Sequence, residues 1–289
     1  MESKPAVSVI LPVRDAAGTL ATAVESVVRQ SFTDWELLIV LDGSGKATRE
    51  ALEKIPFDPR IRVIEPGAAR GIARSLNEGV ALSRGTFIAR MDADDICYPE
   101  RLEKQLGFLE REPAIDLLGT ASLFFGPSGR ELGMAPALPS HEDICARVFA
   151  GIRLSHPTWM GRRGWFSRNP YDPRFDGVED QELLLRAWPR SRYANLPEPL
   201  LAYRETPALG KSLKRRVLLA RAQCAFVLRN KEWRRLGALL WNNGVKISGD
   251  LAFSLTKAPV FRRRLDALSP EQGSDWRKLW ESLAVTRPC

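Results

Sequence analysis

Strand and helix signals alternate through the N-terminal third of this chain, and that alternation constrains the fold more than any other feature. Val7-Ser-Val-Ile-Leu11 reads as a buried strand closed by Pro12. Leu20, Ala23, Val24, Val27 and Val28 then recur at helical spacing, with Thr19 as the candidate cap. Trp35 to Leu41 is the second predicted strand and ends in the turn Asp42-Gly43-Ser44-Gly45. Ala47 to Lys54 predicts a helix, Ile61 to Ile64 a strand, Gly71 to Leu82 a helix and Thr86 to Met91 a fourth strand. This order predicts an α/β fold, a doubly wound and mostly parallel sheet with helices on both faces. Ligands of such sheets collect at the carboxyl ends of the strands, so polar residues just past a strand are the first candidates.

Further on, Pro99 to Glu110 predicts a helix with Pro99 in its first turn. Ile115 to Phe125 and the segment after Gly129 predict strands joined by a Gly-Pro-Ser-Gly turn, and Val178 to Trp188 an amphipathic helix. From Lys211 the pattern becomes long, helical and basic. Residues 211–289 hold 17 Lys and Arg against 6 Asp and Glu, whereas residues 1–210 hold 26 against 29. The net charge of +8 therefore belongs to the tail. Two units follow: residues 1–210, and a basic helical extension over 211–289.

Cys97, Cys145, Cys224 and Cys289 form no CxxC pair, which argues against a metal cluster or disulfide framework and fits a reducing cytosol. The apolar run Val7 to Val13 is too short for a signal peptide and is broken by Arg14 and Asp15. No apolar stretch reaches the length of a membrane-spanning helix.

Met91-Asp92-Ala93-Asp94-Asp95 follows the apolar run Phe87-Ile88-Ala89. Like charges so close raise one another's pKa, and a divalent cation removes that cost. Mg²⁺ and Mn²⁺ prefer such oxygen ligands. The alternative is an exposed acidic turn capping the next helix. Asp42 alone reads as a turn residue, because Asp-Gly is a strong turn pair. Gly43-Ser44-Gly45-Lys46 fails as a phosphate loop, because Val40 stands where the first Gly is needed and Ala47 where Ser or Thr is needed. No GxGxxG follows any predicted strand.

Taken in order, these stretches resemble the family-2 glycosyltransferases, which have the GT-A fold. The resemblance rests on Val7-Ser-Val-Ile-Leu-Pro-Val13, Trp35 to Ser44, Gly71 to Gly79, Gly85-Thr-Phe-Ile-Ala-Arg-Met-Asp-Ala-Asp-Asp-Ile96, Pro99-Glu-Arg-Leu102 with Gln105, His156-Pro-Thr158, Glu179-Asp180 and Pro197 to Arg204. It implies an inverting enzyme that moves a sugar from a nucleotide-sugar donor, a UDP-sugar in many relatives, onto a glycan or lipid-linked acceptor with Mn²⁺ or Mg²⁺. Pro12, Val13 and Arg14 would then lie at the nucleotide and Asp42 at the base. Asp92 would contact ribose or sugar, Asp94 would be the direct metal ligand, and Asp180 the catalytic base. Relatives often carry an aromatic and an Asn where this chain has Arg14 and Asp15, and two acids before Gly-Ser where it has Leu41 and Asp42. Both departures fall in the nucleotide pocket.

One base opposite the leaving group gives inversion, whereas a covalent route needs a second, nucleophilic carboxylate. His156, preceding Pro157, is predicted to be extended, and Trp159 and Trp165 read either as acceptor platforms or as core. The pairs Arg215-Arg216 and Arg234-Arg235 and the run Arg262-Arg263-Arg264, interleaved with apolar residues, suit either an anionic membrane surface or packing on the catalytic domain. The expected location is cytoplasmic, with peripheral attachment to the membrane, and no nucleic-acid partner is expected. Two other readings compete: a sugar nucleotidyltransferase, which would need a Gly-rich basic first loop, and a non-catalytic binding protein, which would be expected to lose Asp94 or Asp180.

Overall fold

The computed structural model describes residues 4–205, 212–235, 237, 239, 241, 243–245 and 265–283. Lys211, Arg262–Arg264, Cys289 and the side chain of Arg235 lie outside the described residues.

The predicted alternation is present. Strands β1 (Val7–Val13), β2 (Trp35–Leu41), β3 (Ile61–Ile64) and β4 (Phe87–Arg90) alternate with helices α1 (Leu20–Val28), α2 (Lys46–Glu53) and α3 (Ile72–Leu82). They pair in parallel in the order β3-β2-β1-β4. Pro12 does not close β1. It stays in register with Val40 of β2, while β4 pairs only as far as Ile10, so no ladder partner is lost on that side.

Beyond β4 the sheet is mixed. Strands β5 (Ile96–Cys97), β6 (Leu117–Phe125), β7 (Glu131–Ala135), β8 (Met160–Arg162) and β9 (Tyr193–Arg204) complete the order β3-β2-β1-β4-β8-β6-β9-β5, with β7 paired to β6. Antiparallel pairing joins β8 to both β4 and β6, β7 to β6 and β5 to β9, whereas β6 and β9 run parallel. The short strands β5 and β8 carry too few residues for a periodic signal, and β9 contains Pro197 and Pro199 where its register to β6 shifts.

Both faces of the central strands β1, β2 and β4 are buried, as parallel strands require. Val7, Val9, Leu11 and Val13 of β1 enter one core with α1 and with α4 (Arg101–Arg111). Ile10, Val40 and Ile88 enter the other, shared with α3, with Ile144 of α5 (His141–Cys145), with α6 (Arg163–Arg168) and with α7 (Glu179–Ala187). Period-2 alternation thus assigns each strand residue to one layer. A buried carboxylate, Glu36, ties β2 to β1. It accepts hydrogen bonds from Ser8 Oγ at 2.7 Å and from Arg84 N and Arg62 Nη1 at 2.6 and 2.9 Å. Burial alone would raise its pKa, but these bonds outweigh burial and hold it below the ordinary value.

The described parts of the tail pack on this body. Helix α8 (Ser212–Asn230) sets Phe226 and Val227 among Leu183, Leu184 and Leu185 of α7. Helix α9 (Pro270–Ser282) opens with a capping box between Ser269 and Gln272 and buries Trp276 against Phe125, with ring centroids 4.7 Å apart. No helix among the described residues is long and apolar enough to cross a membrane.

Candidate active site

Three strands end side by side and deliver their following residues to one rim. After β2, Asp42 donates its N–H to Val13 O at 2.8 Å. Its carboxylate accepts from Arg70 N at 2.6 Å and from Gly71 N at 3.1 Å. Asp42 is buried and so engages the backbone that opens α3. Gly71 adopts φ +91°, and a Cβ there would stand 1.7 Å from Asp176 Oδ2. Asp176 Oδ1 in turn accepts from Ala73 N at 3.0 Å. Two carboxylates from distant segments thus satisfy the free N–H groups at the start of one helix.

Pro12, Val13, Arg14, Asp42 and Gly71 line a cavity of about 570 Å³. A second cavity, of about 890 Å³, is lined by Arg90, Asp92, His156, Glu179, Asp180 and Asn195 among others. Ile72, Gly177 and Arg215 belong to both walls, so the two spaces adjoin.

The acidic turn stands between β4 and β5. Arg90, the last residue of β4, is buried and grips Asp92 with two hydrogen bonds of 2.7 and 2.5 Å. Burial opposes the Arg90 charge, but Asp92, Tyr171, Asp95 and Glu179 outweigh it. Asp95 is buried and accepts from Arg204 N at 3.0 Å through Oδ1, while its Oδ2 has no hydrogen-bond partner. Burial first, and then the charges of Asp92 and Asp94, push the Asp95 carboxyl well above the ordinary range. Asp94 is raised by burial and by Asp92. One carboxylate oxygen from each of Asp92, Asp94 and Asp95 lies within 4.8 Å of the others. A cluster of hard oxygens with an unpartnered buried atom and raised pKa values fits Mg²⁺ or Mn²⁺. Because Arg90 already occupies both oxygens of Asp92, Asp94 and Asp95 Oδ2 are the freer donors.

The opposite wall is the first turn of α7. Glu179 is buried and accepts from Gly177 N at 2.6 Å. Burial, with the neighbouring Asp180 charge, pushes its carboxyl up to about 7. Asp180 is half-buried at the cavity, and burial raises its pKa as well. Gln181 locks this turn by bonding both the N–H and the carbonyl of Ile152. His156 Nε2 lies 2.9 Å from Tyr171 Oη, and burial followed by the Arg90 charge holds the imidazole well below its ordinary pKa. The ring is therefore neutral. His156 is not extended as predicted. His156–Thr158 form a single 3₁₀ turn closed by Thr158 N to Ser155 O, in which Pro157 occupies the first turn and needs no donor. Trp159 and Trp165 are core residues, 0% and 2% exposed, which removes them as acceptor platforms.

Of the residues singled out in the sequence, Pro12, Val13, Arg14 and Asp42 line one cavity and Asp92 and Asp180 the other. Asp94 lines neither but stands in the acidic cluster beside Asp92. Sequence reasoning missed Arg90, Tyr171 and Lys214, and it read Arg215 as a membrane or packing residue where the structure sets it on the wall of both cavities. Arg90 carried a usable signal, since a cation inside the apolar run Phe87 to Met91 needs a buried counter-charge. Tyr171 carried none.

Residues 8–168 match the family model described as glycosyl transferase family 2. EpsE of Bacillus subtilis, named as a glycosyltransferase, is 34% identical over 216 residues, covering 71% of this chain and 75% of that protein. The O-antigen biosynthesis glycosyltransferase WbnJ of Escherichia coli is 28% identical over 206 residues, 68% of this chain and 79% of its own. Among solved structures, S. aureus TarS 1–349 superposes with a TM-score of 0.66 at 19% identity, covering 98% of this chain and 81% of that one. The same protein has been crystallised with UDP and with UDP-GlcNAc. The likeness to TarS bears out the expected GT-A type of α/β fold. With its strand-end motifs gathered around two adjoining cavities and more than half its length matched, this chain belongs to glycosyl transferase family 2, the enzymes that transfer sugars.

Proposed function

We propose that this enzyme is a metal-dependent, inverting glycosyltransferase that moves a sugar from a nucleoside-diphosphate donor, a UDP-sugar, onto a hydroxyl of a glycan or lipid-linked acceptor during cell-surface polysaccharide synthesis. One observation carries the reading: the cavity bearing Pro12, Val13 and Asp42 adjoins the cavity bearing Asp92 and Asp180. A nucleotide in the first brings the sugar of its donor into the second. The UDP complexes of TarS and the O-antigen role in the name of WbnJ support the donor and the pathway class.

In this reading Asp94, with Asp95 Oδ2, holds Mg²⁺ or Mn²⁺. When bound, the ion offsets the charge that develops on the departing diphosphate. Asp92, oriented by Arg90, hydrogen-bonds the donor's ribose or sugar. Asp180 takes the proton of the acceptor hydroxyl as that oxygen attacks the anomeric carbon. The second carboxylate nearby, Glu179, is turned onto Gly177 N and stays neutral to about pH 7, so it is a poor nucleophile. A single base and no covalent partner favour inversion.

The test is release of nucleoside diphosphate from a panel of nucleotide sugars in Mn²⁺ or Mg²⁺. Asp180→Asn is expected to lower turnover at least ~10²-fold while keeping donor affinity. Asp94→Ala is expected to abolish the response to metal. Full turnover in Asp180→Asn rules that residue out as the base.

The tail supports a cytoplasmic enzyme that attaches peripherally to an anionic membrane. Val217, Leu228, Trp233 and Trp241 are 48%, 57%, 57% and 75% exposed, interspersed with exposed Arg221, Arg229 and Arg234. Apolar side chains among cations match an interface of anionic lipid. Full-length protein should sediment with phosphatidylglycerol vesicles and not with neutral ones, and a Trp233→Ser/Trp241→Ser variant should lose most of that binding. Equal sedimentation with both vesicle types removes the membrane reading.

A further inference from the structure

The two cavities meet under α8, a helix that lies beyond both the matched region 8–168 and the expected unit 1–210. Leu218, Leu219 and Ala222 of α8 pack on Phe175 and Val178, just before the Glu179–Asp180 turn. Lys214 and Arg215 precede these residues by three and four positions, so they continue the same helical face one turn toward the N-terminus. That turn overhangs the junction. Lys214 lines the nucleotide cavity and Arg215 lines both. The Arg215 stem passes over Gly177, whose Cβ would meet Arg215 Cγ at 4.0 Å.

The charges at this junction are unbalanced. Asp42 and Asp176, the acids of the nucleotide cavity, are tied to backbone N–H groups of Arg70, Gly71 and Ala73. Arg14, Lys214 and Arg215 line the same cavity and are exposed, and among the described residues none of the three side chains has a hydrogen bond or ion pair. Three free cations facing two engaged acids favour an anion. Where the nucleoside and sugar spaces meet, a nucleotide sugar carries its diphosphate.

We infer that Arg215, assisted by Lys214, is the diphosphate clamp of this enzyme, delivered by the tail helix and binding the leaving group of the donor. The inference rests on the proposed nucleoside-diphosphate donor. Arg215 presents a planar fork suited to phosphate oxygens, and Lys214 adds a point charge. The clamp acts on an anion that gains charge as the sugar departs, so it aids transfer as well as binding.

The experiment is calorimetric titration of full-length wild type, Arg215→Gln, Arg215→Lys and Lys214→Gln with matched mono- and diphosphates of uridine, guanosine and thymidine in Mg²⁺. Wild type should bind one diphosphate more tightly than its monophosphate. Arg215→Gln should weaken that diphosphate roughly ten- to hundredfold, the range of a lost hydrogen bond to a charged group, and leave the monophosphate within about twofold. Arg215→Lys should recover part of the loss, and Lys214→Gln should show a smaller one. Circular dichroism should be unchanged, since both side chains are exposed. The inference fails if Arg215→Gln leaves the diphosphate-to-monophosphate ratio intact. It also fails if the variant raises only the KM for the acceptor, which would assign the arginine to that substrate. If wild type binds none of the nucleotides, the donor reading falls together with the clamp.

Discussion

At the scale of single residues, the site is organised by a cation that spans it. Arg90 closes two bonds on Asp92 and lies near enough to Glu179, Asp180 and His156 to bias their protonation. Burial first, and then Arg90, keep His156 neutral, so in the proposed mechanism proton acceptance falls to the carboxylates of α7. Glu179 gives this arrangement a measurable pH signature. Its pKa in the folded protein is about 7 against an ordinary 4.5. Below pH 4.5 the residue is protonated in both folded and unfolded chains and costs nothing. Between 4.5 and 7 the unfolded chain releases the proton while the folded one retains it, so stability falls as pH rises. Above 7 the loss is complete, on the order of 3 kcal/mol. Glu179→Gln keeps an acceptor for Gly177 N and removes the ionisation. Urea unfolding should find the variant more stable than wild type by about that amount at pH 8 and equal to it at pH 4. Equal stability across the range would show that Glu179 is not held neutral by the fold.

At the scale of elements, the start of α3 sets the geometry of the cavity proposed to hold the nucleotide. Asp42, just past β2, accepts from the N–H groups of Arg70 and Gly71 that lead into the helix, Asp176 from the segment before α7 accepts from Ala73 N in its first turn, and Gly71 lets them approach. A side chain at φ +91° is strained, and at Gly71 it would also meet Asp176. Gly71→Ala is therefore expected to cost at least ~2 kcal/mol in denaturant unfolding and to lower nucleotide affinity by displacing Asp42. Unaltered nucleotide binding in a destabilised variant would separate the two roles. The elements themselves were legible to differing degrees. β2 lies where its apolar run predicted it, because a strand buried on both faces is a nearly continuous apolar word, whereas β3, a partly exposed edge strand, was legible through its β-branched Ile61, Val63 and Ile64. β5 and β8 were invisible, since strands of two and three residues exist only through the neighbours that pair with them.

At the scale of the whole molecule, the basic tail is built into the catalytic body at two places. α8 covers Phe175 and Val178 and reaches the α7 leucines, and α9 buries Trp276 against Phe125 with its indole N–H donated to Gly129 O at 2.8 Å. Trp276 is fully buried, so Trp276→Ala should destabilise the protein by about 3–5 kcal/mol and raise hydrogen exchange along β6 and β7. A loss below ~1 kcal/mol would mean that α9 contributes little to the body. The same docking argues against removing the tail to study it, because a cut would bare the apolar surface beside the Glu179–Asp180 turn.

Local periodicity sufficed to determine the α/β class, the first four strands and the strand-end placement of Asp42 and Asp92, because each depends on residues adjacent in the chain. The acidic cluster was readable for the same reason. Only the tertiary structure decided that Arg90 lies beside Glu179 and His156, that Asp42 and Asp176 meet at one helix start and that Arg215 stands over the junction of the cavities. Such contacts join residues far apart in the chain. Their energy is a balance between the cost of taking charges and N–H groups out of water and the gain from pairing them there, which no spacing pattern records.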